Sequence, residues 1–190
     1  MTSSSIYPAL NVLRSDGIVL MQCDTVLGLI GRATPGVNKR LQSIKKRNKL
    51  HPFLLLVPNA SYLEKFSLII GNTEKALIEK FWPGPLTIIF DFLPKRPAHL
   101  SFFSESIGIR YPLFEPLNTL LDELNEPLLS TSANLSGEPT PCSMDRVSSS
   151  IIRSVDHVYD TLEPALSIES TIVKCTHGII NVVRKGAIDI

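Results

Sequence analysis

The chain is short of most features that would assign a function at once. It has three cysteines, Cys23, Cys142 and Cys175, odd in number and far apart. No CxxC pair occurs among them, so neither a zinc knuckle nor a disulfide framework is indicated. The four histidines, His51, His99, His157 and His177, show no metal-ligand spacing. GxxxxGK[ST] is missing, which removes the common phosphate loop, and so is GxGxxG, the dinucleotide fingerprint. Ser132 has no GxSxG elbow around it and no obvious histidine base, which argues against a serine hydrolase. Apolar runs such as Phe53 to Val57 are far too short to span a membrane. The opening MTSSSIYPAL lacks the charged and apolar regions of a secretory signal, so a soluble, reducing, cytoplasmic setting is the expectation.

Charge of one sign is also lacking. There are 19 basic and 18 acidic residues, a net charge of +1, which speaks against a general nucleic-acid coat protein. With 44% hydrophobic and 19% charged residues in 190, the composition predicts one globular domain over residues 1–190 with a sizeable core. The positive charge is nevertheless concentrated. Six of the residues from Lys39 to Lys49 are basic and none is acidic. Such a cluster points to an anionic partner, although a run of this kind taken alone is more often a solvated helix face.

Periodicity predicts a helix over Pro8 to Arg14, a strand over Ile18 to Gln22, and a turn at Asp24-Thr25 between two buried strands. Val37, Leu41 and Ile44 recur at helical spacing, with the helix ending near Arg47 and a loop over Asn48 to Pro52. Further helices are expected over Ser61 to Ile70, Thr73 to Phe81 (capped by Thr73), Pro116 to Leu124 and Met144 to Ile152. Strands are expected over Phe53 to Val57, Leu86 to Phe92, Ser106 to Tyr111, Leu128 to Ser130, Val158 to Asp160, Thr171 to Lys174 and Ile179 to Arg184. The irregular alternation and hairpin-like connections predict an α/β domain built on a mixed sheet.

Polar residues then fall at strand ends and turns: Asp24-Thr25, Lys45-x-Arg47, His51, Arg110, Ser130-x-Ser132-x-Asn134, Ser170-Thr171 and Arg184. Strand ends are where ligand groups converge in α/β proteins, and guanidinium forks suit phosphate and carboxylate. Singly, each also reads as surface, turn or strand filler; together they describe a polar cleft with scattered cations.

KKRNKLHPF resembles the KxR…HP element of the YrdC family, and LLSTSANLSG resembles its SxN signature. DTVLGL, WPGPLT, IGIRYP, a late EST and VVRKGAI follow the family's order from about Gly17 to the C-terminus. The resemblance implies a twisted mixed sheet with flanking helices around a deep, basic cleft, in the short single-domain form. It also implies an L-threonylcarbamoyladenylate synthase, joining L-threonine, bicarbonate and ATP and releasing pyrophosphate, for N6-threonylcarbamoyladenosine in tRNA. By position in the motifs, Thr25, Arg110, Ser130 and Ser170 would hold threonine. Arg47, His51, Ser106, Ser132, Thr140 and Arg184 would contact ATP, while Lys45, Arg47, Ser132 and Asn134 would serve catalysis. Magnesium would arrive with ATP, without an organic cofactor, and tRNA and the threonylcarbamoyl-transfer proteins would be the partners, with no membrane.

Chemistry fits the absence of a triad: in adenylate formation a carbamate oxygen attacks the α-phosphate, which needs positioning and cations rather than a protein nucleophile. Three departures from the family pattern, Gln22-Cys23, Leu27 and Asn48, bear on threonine specificity more than on nucleotide binding. The competing reading is a YrdC-like RNA- or nucleotide-binding protein without synthase activity. A carbamoyl-transfer role like that of hydrogenase-maturation proteins would bring zinc-finger-like and acylphosphatase-like segments, which this sequence lacks.

Overall fold

Short apolar runs, most of them punctuated by proline, glycine or a polar pair, supply the strands. The computed structural model describes residues 5–46, 53–95, 97–161 and 166–190. In chain order its elements are α1 (Tyr7–Arg14), β1 (Val19–Gln22), β2 (Leu27–Arg32), α2 (Pro35–Lys45), β3 (Leu54–Leu56), α3 (Asn72–Phe81) and β4 (Leu86–Asp91). They continue with β5 (Ser106–Arg110), α4 (Glu115–Leu124), β6 (Leu128–Ser132), α5 (Ser149–Ile152), β7 (His157–Tyr159), β8 (Thr171–Thr176) and β9 (Ile179–Arg184). Among the described residues these strands form one mixed sheet in the order β7-β1-β2-β6-β3-β5-β4-β8-β9. Hairpins join β1 to β2 and β8 to β9, whereas β3–β5, β4–β8 and β1–β7 are parallel pairs.

Alternation along the strands divides the core between the two faces, as a period of two requires. Val19, Met21, Ile30 and Leu128 pack under Leu10 and Leu13 of α1 and Leu117, Leu120 and Leu121 of α4. Ile18, Leu20, Leu29 and Leu129 face the opposite side, against Val37 and Leu41 of α2 and a large cluster that includes Phe66, Phe90 and Ile109. Each of these fully buried side chains contributes about 1.5–3 kcal/mol relative to exposure. Among the described residues no helix is long and apolar enough to cross a membrane.

Several expected boundaries moved, for local reasons. Ser61 to Ile70 is a tight 3-10 turn over Ala60–Phe66, opened by the Asn59 side chain accepting from the Tyr62 N–H, and Leu68 already bridges to Phe92. Thr73 is not the cap of α3. The helix starts behind Gly71, whose N–H donates to the Glu74 carboxylate at 3.0 Å, and Thr73 Oγ1 donates to the Gly178 carbonyl. Met144 to Ile152 splits into a 3-10 turn, Met144–Arg146, and α5, capped by Ser148. Helix α2 begins on a Thr34 cap with Pro35 in its first turn and stops at Lys45, because Lys46 is left-handed at φ 48°. The expected loop over Asn48 to Pro52 lies outside the described residues.

Candidate active site

The β1–β2 turn is four residues long, Cys23 to Val26, closed by the Cys23 N–H donating to the Val26 carbonyl at 3.3 Å. It delivers Thr25 to the ends of several strands. Arg110 ends β5, Ser130 and Ser132 lie two apart on β6, Ser170 directly precedes β8, and Arg184 ends β9. These residues line a single cavity of about 190 Å³, together with Cys23, Val26, Gly28, Phe53, Leu54, Thr131, Glu169 and Ile172. Gly28 keeps its wall open. A Cβ there would stand 3.1 Å from Cys23 Sγ and 3.7 Å from Ser130 Oγ.

Both arginines of the lining are paired with carboxylates. Arg110 and Asp24, 2% and 7% exposed, form a buried ion pair in which one guanidinium nitrogen donates to both carboxylate oxygens. Arg110 Nε is buried without a hydrogen-bond partner. A buried polar group normally has one, so this donor is an exception on a residue of the cavity wall. Burial pushes the Cys23 thiol up to about 12, with Arg110 opposing and Asp24 reinforcing the shift. Cys23 therefore stays a neutral wall residue rather than a nucleophile.

Arg184 is held at almost every donor. Its Nε and Nη2 donate to the Ser170 carbonyl at 3.1 and 2.8 Å, Nη2 also reaches Ser170 Oγ at 3.1 Å, and Nη1 pairs with Glu169 at 2.7 Å. Its pKa is lowered by burial, against the opposing pull of Glu169 and with a smaller push from Arg110. Ser170 Oγ shares a hydrogen bond with Thr87 Oγ1 at 2.9 Å, and the other Glu169 oxygen accepts from Thr140 Oγ1, also at 2.9 Å.

The two sequence signatures meet beside this cavity. Lys45, buried at the end of α2, donates to the Ser132 carbonyl at 2.6 Å and to Asn134 Oδ1 at 2.7 Å. Ser132 Oγ donates to the same Asn134 oxygen at 2.5 Å, and the Asn134 amide donates to the Glu138 carbonyl. The Ser136 N–H on the Lys45 carbonyl at 3.1 Å fastens the loop to the helix end. The ammonium thus sits buried within a cage of oxygens, tied to the cavity through Ser132.

Of the residues expected from sequence, Thr25, Arg110, Ser130, Ser132, Ser170 and Arg184 come together in one cavity. Lys45 and Asn134 join them through Ser132, and Thr140 through Glu169. Ser106 lies at the opposite end of β5 from Arg110, paired with Asp91, and is not part of the lining. Arg47 and His51 fall outside the described residues. Sequence reasoning did not single out Glu169 or Thr87 as site residues, and it counted Asp24 in the polar cleft without assigning it a role. The acidic residue of the EST motif was the one available signal for Glu169. Among the described residues no cluster of three or more histidine, cysteine or acidic side chains is placed to hold a metal.

The family model Sua5_yciO_yrdC, described as telomere recombination, matches residues 11–186. A Methanocaldococcus jannaschii protein named putative threonylcarbamoyl-AMP synthase is 33% identical over 174 residues, covering 91% of this chain and 81% of that protein. The threonylcarbamoyl-AMP synthase of Bacillus subtilis is 31% identical over 189 residues, covering 96% of this chain and 54% of the relative. A solved structure of a Pyrococcus abyssi Sua5 variant shares the fold with a TM-score of 0.85 at 25% identity, over 96% of this chain and 56% of that one. The chain thus spans most of the first relative and about half the length of the other two.

Proposed function

Because this chain belongs to the Sua5/YciO/YrdC family, we propose that it forms threonylcarbamoyl-AMP from L-threonine, bicarbonate and MgATP, releasing pyrophosphate and water. The observation that carries the reading is the convergence of Thr25, Arg110, Ser130 and Ser170 with Ser132 and Arg184 in one cavity. Names of the relatives support it.

In this reading Arg110 receives the threonine carboxylate. Its orphaned Nε supplies a donor, and Asp24 fixes the fork and offsets its charge when no substrate is bound. Thr25, Ser130 and Ser170 offer hydroxyls that both donate and accept, which suits the substrate's own hydroxyl and amine. The neutral amine attacks bicarbonate to give the carbamate, and a carbamate oxygen then attacks the α-phosphate in line with departing pyrophosphate. Negative charge grows on the phosphate oxygens in that step, and Arg184, in the lining, and Lys45, tied to Ser132 beside it, are the cations that stabilise it. Their cages of oxygens hold them in place beforehand, so little reorganisation is needed at the moment of reaction. Arg47 and His51 of the basic stretch complete the nucleotide side. Magnesium belongs to the nucleotide substrate and is carried by its phosphates.

The product is a mixed anhydride, an activated acyl donor. Its use is transfer of threonylcarbamoyl to adenosine in tRNA by a partner enzyme in the cytoplasm. Incubation with isotopically labelled bicarbonate tests the reading: label should enter an adenylate, resolved by chromatography, only when threonine and ATP are both present. Nucleotide binding with no labelled adenylate would instead mean a binding protein without turnover.

A further inference from the structure

Glu169 is committed to two other groups of the site, and they come from distant parts of the chain. One oxygen accepts from Thr140, on the loop that follows Ser132 and Asn134, and the other pairs with Arg184 at the end of β9. Arg184 in turn grips the carbonyl and the hydroxyl of Ser170, and Ser170 is tied to Thr87 of β4. The chain Thr140–Glu169–Arg184–Ser170 therefore links a residue assigned to the nucleotide with one assigned to threonine. Its backbone is held as well. The Ala187 N–H donates to the Glu169 carbonyl at 2.9 Å, and Gly186 packs so closely that a Cβ would lie 2.3 Å from that carbonyl.

We infer that Glu169 is a positioning residue that couples the two substrate subsites, so that L-threonine and MgATP each strengthen the binding of the other. The inference rests on the two-substrate reading above. Whichever substrate binds first takes up bonds at one end of this chain and changes the partners left to the groups at the other end, so the second meets donors already turned towards it. Such coupling is reciprocal and commonly amounts to about 5–150-fold in affinity. Glu169 has a second effect. Its carboxylate offsets the Arg184 charge and opposes phosphate binding, so the nucleotide alone binds less tightly than an unpaired arginine would allow.

The test is binding of α,β-methylene-ATP with magnesium, followed by calorimetry with and without saturating L-threonine. This analogue cannot release pyrophosphate from the α-position. In the wild-type protein threonine should tighten binding by about tenfold. In Glu169→Gln the nucleotide alone should bind as well as in wild type or better, while the threonine effect falls towards onefold. A residue needed only for folding would weaken both. Thr140→Val, which removes the loop-side link together with a hydroxyl assigned to the nucleotide, should weaken nucleotide binding and also reduce the fold-change that threonine brings. Wild-type coupling that persists in both variants overturns the inference. So does a wild-type protein that turns over threonine but shows no coupling, and in that case the proposed function stands. Failure of the wild type to bind the analogue and to release pyrophosphate removes both.

Discussion

Replacing Asp24 by asparagine isolates the buried ion pair at the centre of the cavity. Asparagine keeps the shape of the side chain but deletes its charge and one of the two acceptors of Arg110 Nη1, which leaves the guanidinium, 2% exposed, without compensation. Its Nε already lacks a hydrogen-bond partner, and Asp24 is the carboxylate that the guanidinium is paired with. Breaking a buried pair by removing one member costs about 3–5 kcal/mol. For a chain of 190 residues, each kcal/mol moves the melting temperature by about 2–4 °C, so the expected loss is roughly 6–20 °C. Thermal unfolding followed by circular dichroism at neutral pH reads it directly. Adding Arg110→Met to Asp24→Asn should recover part of the loss, because the stranded charge is gone. L-Threonine should raise the melting temperature of Asp24→Asn more than that of wild type, since its carboxylate replaces the one removed. L-Threoninol, which has no carboxylate, should not. A loss below about 3 °C, or a double variant as unstable as the sum of the two singles, would refute the reasoning.

Gly28→Ala places a methyl group 3.1 Å from Cys23 Sγ and 3.4 Å from the Thr131 carbonyl, in the cavity wall. It should raise the threonine concentration needed for half-maximal turnover by roughly 10–200-fold with little change in melting temperature, as steady-state kinetics would show. Cys23 is buried and Cys142 exposed, so a thiol reagent at pH 8 should modify Cys142 at once and Cys23 only in denaturant. Since the folded state raises the Cys23 pKa from 9.0 to about 12, its contribution to stability is complete below pH 9 and is lost as pH rises towards 12. Cys23→Ala should flatten that alkaline decline in a melting series. Asp156 behaves in the opposite sense: the Arg40 hydrogen bonds, aided by the Ile18 N–H, lower its pKa. Its contribution is present above the ordinary carboxylate range of about 4 and is lost as pH falls, so Asp156→Ala should weaken the acid-side dependence of melting.

Local pattern carried much of the fold. The turn at Asp24-Thr25, the apolar stripe of α2 and the alternation in Ser106 to Tyr111 are all one-dimensional signals, and they pointed to strand ends that form the cavity. The strand order was not legible, because neighbours such as β4 and β8 pair across 85 positions or so of sequence with nothing local to announce it. Helix starts failed for a related reason. Thr73 has the right chemistry for a cap, yet its hydroxyl has a tertiary partner in Gly178, and Glu74 satisfies the Gly71 N–H instead. Individual site residues could be named from motif positions, but their partners could not. That Arg110 is buried against Asp24, or that Glu169 joins Thr140 to Arg184, depends on strand ends meeting in space. The basic run from Lys39 also divides in the structure. Lys39 and Lys46 are exposed, Arg40 is spent on Asp156, and Lys45 turns inward to the SxN signature.

The central claim is that this cavity joins threonine to the adenylate. Pyrophosphate release by the purified protein, supplied with MgATP and bicarbonate and titrated with L-threonine, tests it most directly. The account predicts release that rises from near zero and saturates with L-threonine, and that falls by roughly 10²–10³ in Arg184→Ala. Release indifferent to threonine, or none at all from folded protein, would contradict it.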